Sequence, residues 1–211
     1  YSAGDYRDIK LKLWGDFNIA NAAAAIKMAE IYGIKPDLAI KTLEKIESLP
    51  GRMELIDAGQ KFKVIVDYAH TPDSMEAVYV SLKPKLATGA KLICVFGATG
   101  GGRDKWKRPE YGKIAEKYCD EIILTNEDPY DENPEKIIED IFSGFSSSNL
   151  RSQISKIWKI IDRREAIRKG TSLAKEGDIV IITGKGSETT MMVANGQKIS
   201  FDDRQIVREI L

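Results

Sequence analysis

Histidine is almost missing from this chain. One residue, His70, stands in 211, which excludes histidine-rich zinc centres and histidine relays. Chemistry here must rest on Lys, Arg, Asp, Glu or a bound metal. Cysteine is nearly as scarce. Cys94 and Cys119 lie in apolar, strand-like contexts without metal-ligand spacing, so no disulfide framework is expected and a reducing compartment fits better. Excess charge of either sign is also lacking. The 32 Lys+Arg balance 32 Asp+Glu, which argues against a broad nucleic-acid surface but leaves room for a local basic pocket. No run approaches the ~18 apolar residues of a membrane span. The longest near the start, 22–26, is too short for a signal peptide. The phosphate-binding pattern Gly-x-x-x-x-Gly-Lys-Ser/Thr does not occur. The chain begins at Tyr1 rather than Met, which points to sequence upstream of it.

What is present is an ordinary globular composition, 43% hydrophobic and 30% charged, long enough to bury a core without metal or disulfide staples. Its length suits one domain of ~100–200 residues with an appendage. Weak alternation through Ile9, Leu11 and Leu13 reads as a strand or hairpin remnant within the first 16 residues. Helical spacing follows over 18–31, and Pro36-Asp37 opens a second helix to about 46. Ser48-Leu49-Pro50-Gly51 is the best linker. Beyond it, strand-like runs at 62–66, 91–96, 121–125, 157–161 and 178–183 alternate with helical segments at 74–86, 111–118, 134–142, 163–174 and 201–211. Such alternation predicts an α/β fold with a mostly parallel, Rossmann-like sheet flanked by helices, preceded by a small helical piece. Ligands bind such sheets past the carboxyl ends of the strands.

Four loops at those ends carry the polar residues. Asp67-Tyr68-Ala69-His70-Thr71-Pro72-Asp73 offers a carboxylate for a ribose diol, or simply a helix cap. Gly97 to Gly102 runs into Arg103, Lys105, Lys107 and Arg108, which suits an anion or a solvated basic turn. The acidic stretch from Glu127 to Glu132 suits an ammonium group, a metal or a helix N-terminus. In the fourth loop, Gly184 to Glu188, Glu188 can bind a cation, and Lys185 can meet an anion or lie on the surface.

Taken in order, Phe17-Asn18-Ile19-Ala20-Asn21, Pro50-Gly51-Arg52-Met53-Glu54, Val66 to Asp73, Gly101 to Pro109, Glu127-Asp128-Pro129 and Gly184-Lys185-Gly186-Ser187-Glu188 resemble the Mur ligase family across essentially the whole chain. The closest likeness is to its UDP-N-acetylmuramoyl-tripeptide synthetase (MurE-like) branch. The resemblance implies that residues 1–48 are the tail of a central ATP-binding domain and 49–211 the amino-acid-receiving C-terminal domain. The missing P-loop, the carbamylated lysine and the Mg²⁺ ligands would then lie upstream, with no metal ligand in these residues. The implied reaction uses ATP and Mg²⁺ to phosphorylate the carboxylate of a UDP-muramoyl-dipeptide, which the amine of an amino acid then attacks. The resemblance places Asn21 at adenine, Arg52 at the phosphates and Asp67 at the ribose, with Tyr68 and His70 shaping that pocket. It places Arg103 at the substrate carboxylate, and Asp128, Tyr130, Gly184 and Glu188 around the far end of the amino acid.

Two departures stand out. Diaminopimelate-adding members carry Asp-Asn-Pro-Arg where this chain has Glu127-Asp128-Pro129-Tyr130. Asp128 and Glu188 without that Arg suggest a distal ammonium, hence lysine or ornithine rather than diaminopimelate. Ser187 replaces the usual His, with no account of its effect. The resemblance further implies a cytoplasmic monomer with no nucleic-acid or membrane partner, inactive when separated from the P-loop. Alternatives are a ligase domain like those of folylpolyglutamate or cyanophycin synthetases, or a non-catalytic module binding an amino acid or nucleotide.

Overall fold

The computed structural model describes residues 9–146 and 156–211. Two helices, α1 (Phe17–Ile31) and α2 (Pro36–Leu43), precede the sheet. The remaining order is β1 (Glu54–Ile56), β2 (Lys63–Asp67), α3 (Pro72–Leu82), β3 (Leu92–Phe96), α4 (Lys107–Tyr118), β4 (Glu121–Leu124), α5 (Pro134–Phe142), β5 (Ile157–Lys159), α6 (Arg163–Leu173), β6 (Ile179–Thr183), β7 (Thr190–Met192), β8 (Lys198–Ser200) and α7 (Asp203–Ile210). The main sheet runs β1-β2-β6-β3-β4-β5. Every pairing is parallel except β1 with β2.

The expected α/β architecture follows from the pleat. Successive strand residues face opposite sides, and here both sides are covered. Ile65, Cys94, Phe96, Ile179 and Ile181 bury one face against α3, α4 and α5. Val64, Val66, Ile93, Val95, Val180 and Ile182 bury the other against α6 and α7. That explains the unbroken Val/Ile runs, typical of a parallel sheet with helices on both faces. Helix starts obey their caps. Asn133 accepts from the backbone N–H of Glu135 at 2.8 Å, and Thr71 and Ser74 form a reciprocal capping box. Helices α1 and α2 close over a small cluster built on Ile9 and Ile26, while Trp14 and Phe17 lean on the main core.

Several expectations need correction. No strand forms over residues 9–16, and residues 1–8 lie outside the described part. Of the loop expected at 146–149, only Ser146 is described. Strand β1 and the β7–β8 hairpin are additional elements, each strand too short to show a period. Cys94 and Cys119 form a disulfide. Helix α4 returns its C-terminal end to the start of the neighbouring strand layer and brings the two Cα atoms to 6.0 Å. A separation of 25 residues conceals that adjacency. Cysteine usage therefore no longer supports a reducing compartment.

One buried ion pair ties the strand ends together. Arg163, at the start of α6, donates from Nε and Nη2 to the two carboxylate oxygens of Asp203 at 2.9 and 2.8 Å. Its Nη1 also donates to the Asn126 carbonyl at 3.1 Å, and Nη2 to the Thr183 carbonyl at 2.9 Å. Both side chains are fully buried. Removing one partner of such a pair leaves an uncompensated charge in the interior. Asp203→Ala is expected to lower unfolding free energy by about 3–5 kcal/mol. Urea denaturation of the chain checks this, and a loss no larger than that of an exposed-surface variant would contradict it.

Candidate functional site

A cavity of about 490 Å³ opens between α1, the turn before β1 and the loop after β2. Asn21, Arg52, Asp67, Tyr68 and His70 all line it. Two close backbone approaches build it. Gly51, at φ +61°, lies directly against the Gly186–Ser187 peptide, and Gly186, at φ +52°, lies against Tyr68. A Cβ at either position would collide with backbone, so only glycine lets these loops touch. Beside them the Asp67 carboxylate accepts from the Met53 and Ala69 backbone N–H groups, both at 2.8 Å. It thereby locks Met53 at φ +49° and orients Arg52. Burial pushes the Asp67 carboxyl above its usual range, opposed by those N–H bonds and the Arg52 guanidinium. Each oxygen keeps a lone pair for one more donor.

The Arg52 guanidinium stacks 4.5 Å from the Tyr68 ring centroid, a cation–π contact. His70 meets the same ring edge-on at 4.7 Å, with Nδ1 2.9 Å from the Tyr68 carbonyl. Tyr111 donates to the His70 carbonyl at 2.7 Å. Asn21 donates to the Asn18 side chain at 3.0 Å. The volume falls within the ~300–1,000 Å³ of small-molecule sites. An aromatic ring, a guanidinium, a carboxylate and an amide around it suit a nucleotide.

Tyr68 links this cavity to the loop after β6. Its hydroxyl donates to Glu188 Oε1 at 3.1 Å. Glu188 Oε2 in turn accepts from Lys185 Nζ at 2.6 Å, and Asp128 Oδ1 accepts from the same ammonium at 2.8 Å. Asp128 Oδ1 also accepts from the Met192 backbone N–H at 2.7 Å. The Lys185 side chain is only 1% exposed, against 39% for Glu188. Burial pulls the Lys185 ammonium down, but the two carboxylates outweigh it and hold the group above its ordinary value. Lys185 is thus not a surface residue, and the anions it meets are two carboxylates of the chain itself. The chain itself supplies an ammonium to Asp128 and Glu188, where the sequence suggested one from a substrate.

Glu127 is buried behind this group and accepts from the Thr99 hydroxyl at 2.9 Å. Burial raises its carboxyl above the usual range, countered by the charge of Arg163 and by the Thr99 bond. Its carboxylate lies against Gly184 at φ +112°, where a Cβ would collide with it. Arg103 lines a separate cavity of about 80 Å³ with His70, Thr99, Tyr111 and Glu127. Tyr130, at φ +51° with its ring over Gly101, lines a different, shallow depression with Ala194.

Much of the charge in the basic and acidic stretches is spent within the chain. Lys105 and Arg108 pair with Glu132, whereas Arg103 does not. Glu132 accepts from Arg108 Nη1 at 3.1 Å and lies 3.1 Å from the Lys105 ammonium. Arg108 also reaches Asp140 at 2.9 Å. These bonds, Arg108 foremost, hold the Glu132 carboxyl down at about 2. Thr99 and Arg163 are the site residues that sequence reasoning missed, whereas Lys185 and Glu127 were noted without these partners. A lysine between two glycines after a buried strand is the local signal that marks Lys185.

Among the described residues no helix is long and apolar enough to cross a membrane. Residues 51–186 match the family model described as "Mur ligase, glutamate ligase domain". The chain is 49% identical over 208 residues to a UDP-N-acetylmuramoyl-L-alanyl-D-glutamate–2,6-diaminopimelate ligase of Aquifex aeolicus, covering 99% of this chain and 41% of that protein. It is 46% identical to the equally named protein of Syntrophomonas wolfei, over 96% of this chain and 40% of the relative. The chain therefore spans about two fifths of the relatives it matches. A solved structure of such a diaminopimelate ligase superposes with a TM-score of 0.70 at 37% identity, over 96% of this chain and 39% of that one. A Mycobacterium tuberculosis folylpolyglutamate synthase superposes at 0.64 with 21% identity, over 85% of this chain and 40% of that one, a likeness of fold alone. The relatives' names and the internal ammonium of Lys185 together remove the grounds for preferring lysine or ornithine. By its fold, its loops and these matches, the chain belongs to the Mur ligase family, as a C-terminal glutamate ligase domain.

Proposed function

We propose that this chain is the amino-acid-receiving part of an ATP-dependent ligase of peptidoglycan synthesis, joining diaminopimelate to UDP-N-acetylmuramoyl-L-alanyl-D-glutamate in the cytoplasm. Residues 1–48 belong in this reading to a central nucleotide-binding domain and 49–211 to the C-terminal domain. The observation that carries it is the single cavity shared by Asn21, Arg52, Asp67, Tyr68 and His70, with Tyr68 bonded across to Glu188. The diaminopimelate assignment is supported by the names of the relatives.

ATP, when bound, would supply the phosphoryl group that turns a poor acyl donor, the carboxylate, into a reactive one with phosphate as leaving group for the attacking amine, with Mg²⁺ held by residues outside those assigned here. The chain's own residues do the rest. Arg52 offsets phosphate charge, pre-oriented by the Tyr68 ring behind it. Asp67 receives the ribose hydroxyls on its remaining lone pairs. Asn21 reads the base edge. Arg103 grips the α-carboxylate of the amino acid with a planar guanidinium, and Gly184 and Glu188 surround its far end with Asp128 behind them. Tyr130, where the relatives' family pattern has Arg, offers a hydroxyl rather than a charge.

These 211 residues can be tested in place of the matching segment of the Aquifex aeolicus relative. The chimaera is expected to release ADP with diaminopimelate and to use lysine at least ~10-fold less efficiently in kcat/KM. Preference for lysine would overturn the amino-acid assignment. Arg52→Ala in the same protein is expected to lower kcat by ~10²-fold or more. Undiminished turnover would remove Arg52 from the phosphates.

A further inference from the structure

We propose that Lys185 is the positioning residue that sets the charge selectivity of the amino-acid site, by standing in permanently for a substrate ammonium. The inference rests on the reading above for the location of that site. Three observations carry it. Lys185 Nζ lies between Asp128 Oδ1 and Glu188 Oε2 at 2.8 and 2.6 Å. The lysine side chain is sealed at 1% exposure, whereas Asp128 and Glu188 are 14% and 39% exposed. The ammonium therefore approaches the pair from beneath and leaves their outer edges open to a ligand. Finally, both carboxylates are held by a second donor, Glu188 by the Tyr68 hydroxyl on its other oxygen and Asp128 by the Met192 N–H on the same Oδ1 that meets Lys185, with Asp128 Oδ2 unbonded among the described residues.

The consequence is electrostatic. With Lys185 in place the trio carries one net negative charge rather than two. A side chain ending in both an ammonium and a carboxylate is tolerated, and a purely cationic one gains less than it would from two bare carboxylates. Without Lys185 the order reverses. Like charges face the distal carboxylate, and a cationic terminus finds two partners. Because Tyr68 holds Glu188, the nucleotide cavity shares the same frame.

Two experiments test this. In the ligase chimaera, Lys185→Met is expected to shift the diaminopimelate-to-lysine ratio of kcat/KM toward lysine by about tenfold or more, chiefly through a lower KM for lysine. The double variant Asp128→Asn/Lys185→Met restores one net negative charge and should return the ratio toward its starting value. An equal loss for both amino acids, or a double variant that behaves like the single one, would overturn the proposal. The second experiment needs no turnover. In the 211-residue chain, Lys185→Ala leaves a slot for n-propylammonium chloride, which should raise the melting midpoint by about 2–4 °C at saturation, while n-propanol should not. Equal responses to the two would show that no ammonium site exists there. If the parent chimaera ligates neither amino acid, the functional reading fails while the amine test still decides the ammonium site.

Discussion

The buried guanidinium of Arg163 is the constraint on which the loop geometry depends. It spends its donors on the Asp203 carboxylate and on the carbonyls of Asn126 and Thr183. Those carbonyls lie where β4 and β6 end, immediately before Glu127 and Gly184. A planar, permanently charged group with fixed donor directions can hold two strand ends and a helix in one arrangement, which a lysine could not. The strand ends are consequently set before any ligand arrives, and the groups that follow them inherit their positions.

From that anchor the site grows by pairing charges internally. Glu132 takes Arg108 and Lys105, and Asp128 and Glu188 take Lys185. Buried charges are costly unless matched, so a neutral chain with many ionisable loop residues folds most easily when the loops neutralise one another. The guanidinium of Arg103 makes no hydrogen bond or ion pair with the described residues, and Arg52 rests on an aromatic face. These two cations remain directed outward, where anionic groups of substrates would meet them.

Much of this was legible in the residue pattern because a parallel sheet covered on both faces demands long β-branched runs, and Val64 to Val66, Leu92 to Phe96 and Ile179 to Thr183 have them. The helix start at Pro134 was placed correctly, and the Asn133 cap that fixes it is seen in the structure. Three-residue strands such as β1 have no period to detect. The β7–β8 hairpin does carry a signal, Asn195-Gly196, with both residues at positive φ, as a tight hairpin turn requires. Asn21, Arg52, Asp67, Tyr68 and His70 were grouped through the family resemblance of their motifs, and they line one cavity, which the backbone approach at Gly51 and Gly186 helps to build. The pairing of Lys185 with Asp128 was hidden, since 57 residues separate them and only the β4–β6 proximity brings them together. The disulfide was hidden for the same reason.

The central claim is that the nucleotide cavity and the amino-acid loops form one connected site, joined at the Tyr68–Glu188 hydrogen bond. The most direct measurement is an ADP titration of the isotopically labelled chain followed by amide NMR, repeated with Tyr68→Phe. Shifts are predicted at Arg52, Asp67 and His70 in both proteins, and at Gly184 to Glu188 only when the Tyr68 hydroxyl is present. A native chain whose 184–188 amides stay still as ADP fills the cavity, or an ADP footprint away from Arg52 and Asp67, would contradict it.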